Sequence, residues 1–267
     1  MTQVARRAAT HCVAVVSVTT MYDMWWLVIS LAIAGCASAG KGNSITSGVS
    51  DAGAEPADGA APSDASGGTA SDAPASRITL AQTDSATITT GNSIACENKL
   101  TNVTVLNSYL RVFALADFGV TDVLHVTEVA FGVDTAVAGP RATAQPAQVK
   151  LGLYEATPGT TTLDPSAIVA LGDAVAIQIP DGKATTITVP VTADVQAGQN
   201  LIVELALPDG TAAGSTFLIG SNALGERAPG YLSARDCGLK NPTTIQSIAS
   251  DLAHGPVDLL ISVTGER

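Results

Sequence analysis

The sequence predicts an all-β fold, a single antiparallel sandwich or barrel, on three observations. Short runs that alternate apolar with polar or small residues recur from Arg77 to the C-terminus. Period two over many short runs marks strands with one buried face. Turn residues such as Pro180-Asp181-Gly182, Ala197-Gly198 and Pro208-Asp209-Gly210 separate the runs. Long amphipathic helices are missing, which argues against a parallel sheet with crossover helices. About 190 residues suit one domain of eight to ten strands with long loops.

Ahead of that domain, residues 1–35 read as an export signal. Arg6 and Arg7 precede an apolar run that begins at Trp25 and ends in Ile33-Ala34-Gly35-Cys36. That run is about half the roughly 20 apolar residues a spanning helix needs, and Asp23 blocks its extension toward the N-terminus. A cysteine directly after a small-residue cleavage site resembles a bacterial lipoprotein signal. The resemblance implies cleavage before Cys36, acylation of Cys36 (palmitate among the chains), and a membrane held through those chains. Ala37 follows Cys36 with no Asp at that position, which resembles lipoproteins sent to the outer membrane of cells that have two.

Residues 36–76 form the next region. After Cys36 it is almost entirely Ala, Ser, Gly, Asp, Pro and Thr, with isolated Ile45 and Val49 and no aromatic residue. Such a segment buries too little surface to offset the entropy of ordering, so it reads as a disordered tether.

The domain at residues 77–267 carries the strands. Clear alternation is found at residues 124–131, 148–154, 185–191, 200–207, 216–219 and 257–263. Residues 114–118 and 245–253 read as a helical turn or two each. Loss of the signal removes both tryptophans, so the core rests on Val, Leu, Ile and Ala. Two cysteines remain after Cys12 and Cys36 are accounted for. Cys96 and Cys237 are an even pair in an exported chain, and are read as a disulfide. Neither has a CxxC partner or a nearby His for zinc, which takes four ligands.

Two stretches go beyond strand patterning. One runs from Asn107 to Gly119; the other runs from Ile219 to Gly238 and holds Asn222, Tyr231 and Asp236. Together with residues 126–133 they resemble an accessory β-sandwich module, jelly-roll-like, of secreted and surface bacterial proteins, often appended to peptidases or other exoenzymes. The resemblance implies an antiparallel sandwich and an exported location, and no chemistry. Asn107, Tyr109, Arg111, Asn222, Tyr231 and Asp236 are the candidates for a binding or structural loop. Structural roles lead: an ion pair between Arg111 and Asp236, positive φ at Asn222, Gly225 and Gly230, and tyrosines at core edges.

Chemistry has little support. The formal charge of −11 becomes −12 once Arg6, Arg7 and Asp23 are removed, and no basic stripe interrupts it, so phosphate backbones are repelled and nucleic acid is no partner. His125 lies in a strand and His254 in a loop, and Ser221 lacks the glycines of GxSxG. No P-loop, GxGxxG, HExxH or DxDxDG occurs. Asp117, Asp122 and Asp134 read as loop or strand-end acids. No catalytic residue, metal ligand or cofactor is assigned. The expected protein is a lipid-anchored, non-enzymatic envelope protein that binds another envelope protein or a glycan; an accessory subunit of an exported hydrolase is the alternative.

Overall fold

The computed structural model describes residues 76–158 and 161–267. The signal segment, Cys36 and all but the last residue of the tether lie outside the described residues.

Sixteen strands follow one another: β1 (Arg77–Ala81), β2 (Glu97–Asn98), β3 (Val103–Thr104), β4 (Asn107–Ala114), β5 (Leu124–Val137), β6 (Ala144–Tyr154), β7 (Ile168–Ala170) and β8 (Val175–Pro180), then β9 (Gly182–Val195), β10 (Asn200–Leu207), β11 (Thr216–Ile219), β12 (Ser221–Asn222), β13 (Gly230–Ala234), β14 (Leu239–Thr244), β15 (Asp258–Leu259) and β16 (Ile261–Glu266). Among the described residues one helix, α1 (Ile245–Asp251), stands between β14 and β15, and a 3-10 turn, Leu115–Phe118, follows β4. Both fall where helical turns were expected.

The strands form an antiparallel β-sandwich. A five-stranded sheet centres on β5, which pairs with β9 along one edge. Its other edge is divided: β16 pairs with the His125–Phe131 half and β11 with the Val133–Val137 half. The seven-stranded sheet runs β14-β13-β4-β10-β6, and the free edge of β6 is divided between β8 and β7. Inward residues of both sheets share one core. Leu80, Phe131, Val133 and Val263 come from the first sheet; Tyr109, Phe113, Val149, Val203 and Leu205 come from the second. Branched aliphatics supply most of it, as the aromatic-poor composition requires.

Four of the six expected runs have other bounds: β6 begins at Ala144, β9 extends from Gly182 to Val195, and the other two bear on the site. β5 continues through Gly132, Val133 and Asp134 to Val137. Asp134 is therefore a mid-strand acid and is buried, not a strand-end residue. The 257–263 run breaks at Leu260, whose N–H donates to Gly220 and whose carbonyl accepts from Gly132. A Cβ on Gly220 would stand 2.6 Å from the Gly132 carbonyl carbon, so only glycine lets β5 and the β11–β12 junction approach this closely. Two-residue pairings at β2–β3 and β12–β15 account for most of the strands beyond ten; they are too short to show a period.

Cys96 and Cys237 form the disulfide, with Cα atoms 5.9 Å apart across a sequence separation of 141. It ties the segment before β2 to the 3-10 turn Arg235–Cys237 that ends β13.

Candidate functional site

Alternation along β4 sends its residues to two destinations. Tyr109 and Phe113 face the core between the sheets. Ser108 and Leu110 face outward, onto the exposed side of the seven-stranded sheet. The three β4 residues singled out in the sequence, Asn107, Tyr109 and Arg111, belong to the inward set.

Those residues fasten irregular segments to the sandwich. Asn107 is buried; its Oδ1 accepts from the Cys96 N–H at 2.8 Å, and its Nδ2 donates to the Cys96 and Val105 carbonyls. The Tyr109 hydroxyl donates to the Ile94 carbonyl at 3.0 Å, and burial raises its pKa far above the ordinary tyrosine value. Together they hold residues 94–96 against β4, which sets one half of the disulfide in place.

Arg111 is fully buried, and its carboxylate partner is Glu226, at 2.7 Å. The expected pairing with Asp236 is thus corrected: Asp236 sits exposed on the turn after β13, while the Glu226 loop folds back beside β4. Arg111 also donates to the Ala228 and Leu259 carbonyls, both at 2.8 Å. Burial is the main influence on both partners of the pair: it lowers the Arg111 pKa and raises that of Glu226.

Asn222 is buried in β12; its Nδ2 donates to the Ser85 and Thr87 carbonyls and its Oδ1 accepts from Leu224. The neighbouring Ser221 hydroxyl donates to the Asn92 carbonyl. Of the three positive-φ expectations only Gly225 holds, at φ 110°. Its N–H donates to buried Asp258 at 2.8 Å. Gly230 instead makes room for Leu259, whose Cγ would lie 2.7 Å from an added Cβ. Tyr231 packs on the outward side of the sheet with Leu110, Val112, Tyr154, Leu163 and Ile202, which closes one end of that face as a small second core.

The remainder of the outward face is a groove of about 680 Å³. Strand register builds its floor. Ser233 pairs with Ser108, Ser108 with Ala206, Ala206 with Gln148, and Gln148 with Ala176, so one row of short or polar side chains crosses five strands. In the next row Leu110 pairs with Glu204 and Glu204 with Lys150. Glu204 Oε1 accepts from the Ser108 hydroxyl at 2.8 Å and from Lys150 Nζ at 3.1 Å. Pro165 and Ile168, from the segment after β6, and Arg235, Lys240 and Pro242, from β13 to β14, complete the lining; the Leu163 N–H donates to the Pro242 carbonyl and joins the two segments. The sequence signal for this floor was the polar face of residues 148–154 and its neighbours. It reads as an ordinary outward face because nothing in one strand's pattern says which strands will lie side by side.

His125 is exposed on β5, and its Nδ1 meets Asp194 Oδ1 at 2.7 Å across the β5–β9 ladder. Among the described residues no hydroxyl hydrogen-bonds to either of them. His254 Nδ1 lies 2.9 Å from the Gly255 carbonyl, in the loop after α1. Among the described residues no three His, Cys, Asp or Glu side chains are grouped to hold a metal ion, and no helix is long and apolar enough to cross a membrane.

No family model and no curated protein matches the chain. Two solved structures share part of the arrangement. One holds the cysteine protease and lectin-like domains of Cwp84, a surface layer associated protein of Clostridium difficile, at 12% identity and a TM-score of 0.42, over 61% of this chain and 33% of that one. The other is the Clostridial cysteine protease Cwp84 after propeptide cleavage, at 14% identity and a TM-score of 0.41, over 61% of this chain and 36% of that one. The chain spans about a third of the length of the solved chains it matches.

Proposed function

We propose that this protein is a non-catalytic binding module of the bacterial cell envelope, lipid-anchored through Cys36, whose sandwich takes its ligand in the groove on the outward face of the seven-stranded sheet. The observation that carries this reading is the groove itself. It is an open concavity with a floor of side chains fixed by strand register and with a lining completed by two further segments. Rigid strands hold binding side chains more firmly than loops do. A predominantly apolar lining with a few convergent polar groups is the usual character of a ligand site.

The buried motif residues support the same reading indirectly. Asn107, Tyr109 and Arg111 stiffen β4 from behind, and β4 carries Ser108 and Leu110 into the groove. A glycan or an envelope protein is the ligand class; accessory service to an exported hydrolase is compatible with the same groove.

The test fills the groove. Ala206 is half-buried at the centre of the floor, so Ala206→Trp places a bulky ring there with little effect on the core behind it. Titration of the full chain against polysaccharide isolated from the envelope should show binding by the wild type and a loss of at least about tenfold in the variant, with an unchanged melting temperature. Equal binding by both proteins would remove the groove from the account.

A further inference from the structure

We propose that the groove selects anionic glycans. This rests on the groove reading above and deepens it. Four charged residues line the groove: Lys150, Arg235 and Lys240 are cationic, and Glu204 is the one anion. The chain as a whole carries a formal charge of −11, so this concavity runs against the sign of the molecule. Lys150 is engaged by Glu204 at 3.1 Å, which leaves the floor close to neutral. Arg235 and Lys240 are exposed, and among the described residues their side chains have no hydrogen-bonding or ion-pair partner. Two free cations in the lining of a groove, in an acidic protein, complement an anion that enters it.

The rest of the lining argues for a glycan as the carrier of that anion. The floor is a sheet face, and its backbone groups are already paired in the ladders among β13, β4, β10, β6 and β8. An extended peptide therefore finds a strand edge only at the rim, on the outer side of β8, and none across the floor. Gln148 and Gln178 offer amides to hydroxyl groups, and the Ser233 hydroxyl, which donates to the Leu239 carbonyl, offers an acceptor. Pro146, Ala176 and Leu106 present small apolar surfaces of the kind that the C–H face of a sugar ring covers. Among the described residues no aromatic side chain lines the groove, so the described lining offers no stacking platform for neutral sugar rings.

The test measures the full chain against three probes at low and physiological salt: polygalacturonate, neutral dextran and poly-L-glutamate. The proposal expects binding to polygalacturonate that weakens as salt rises, because exposed charges are screened over about 8 Å at physiological ionic strength. It expects at least about tenfold weaker binding in the Arg235→Gln/Lys240→Gln variant, and little binding of dextran. Dextran binding equal to polygalacturonate binding, unchanged in that variant but lost in Ala206→Trp, would overturn the charge selection and leave the groove reading standing. Polygalacturonate binding unaffected by Ala206→Trp would overturn both. Failure to bind polygalacturonate at low salt, or tighter binding of poly-L-glutamate, would overturn the glycan assignment.

Discussion

Arg111 shows how much a single residue can fix. It is a permanent cation with no exposed surface, held by Glu226, two backbone carbonyls and the field of Asp258. Burial raises the pKa of Glu226 first of all, against the opposing pull of Arg111, and burial likewise raises Glu97 and Asp134. A carboxyl whose folded value lies above its unfolded value keeps its proton better in the fold. Its stabilising contribution is full at low pH and is lost as pH rises from the ordinary carboxylate range through the raised value. Asp164 and Asp209 act in the opposite sense: hydrogen bonds from Ser166 and Thr211 lower them, so their contribution is lost as pH falls below the ordinary aspartate range. The melting temperature should therefore rise as pH falls from above the raised values toward the ordinary carboxylate range, and decline at stronger acidity. Glu226→Gln should flatten the slope of the upper range. Melts across that range check both, and an unchanged slope in the variant would remove Glu226 from the explanation.

Strand β4 shows what the sequence makes legible and what it hides. The motif residues Asn107, Tyr109 and Arg111 stand out because a buried polar group must sit at one position and keep one set of partners. Their partners do not stand out: Glu226 and Asp236 are both far from Arg111 in sequence, and only the cysteine beside Asp236 favours it over Glu226. The groove residues on the other face, Ser108 and Leu110, resemble any outward face until β10 and β6 lie beside them. The bounds of β10 and β11 are legible in the sequence because turn residues flank clean alternation. β5 was cut short because Gly132 and buried Asp134 break its period. The cysteine pair needed only compartment and parity. Its contribution to stability is testable at this scale. Closing a loop of more than a hundred residues restricts the unfolded chain by up to about 5 kcal/mol, and measured values are often lower. Cys96→Ser/Cys237→Ser should lower the melting temperature by about 6–12 °C for a domain of this size, read by calorimetry. A change of under about 2 °C would mean that Asn107 and Tyr109 hold the 94–96 segment without the disulfide.

At the scale of the whole chain, the proposal joins three parts with separate physical jobs. Acyl chains on Cys36 would hold the protein at about 0.8 kcal/mol per buried methylene, and more than one chain gives stable anchoring. Under the proposal, residues 36–76, which lie almost wholly outside the described residues, would act as a flexible tether, and a flexible chain of about 40 residues would span roughly 35 Å root-mean-square. A rigid sandwich then carries a groove that gains from being kept near the surface, because tethering raises the local concentration of the site. The most direct test of this envelope account is the intact mass of the native protein, with membrane fractionation beside a Cys36→Ser variant. The account predicts a chain that begins at Cys36, carries acyl chains and sediments with membranes, and a variant released to the soluble fraction. An unacylated wild-type protein in the soluble fraction would contradict it.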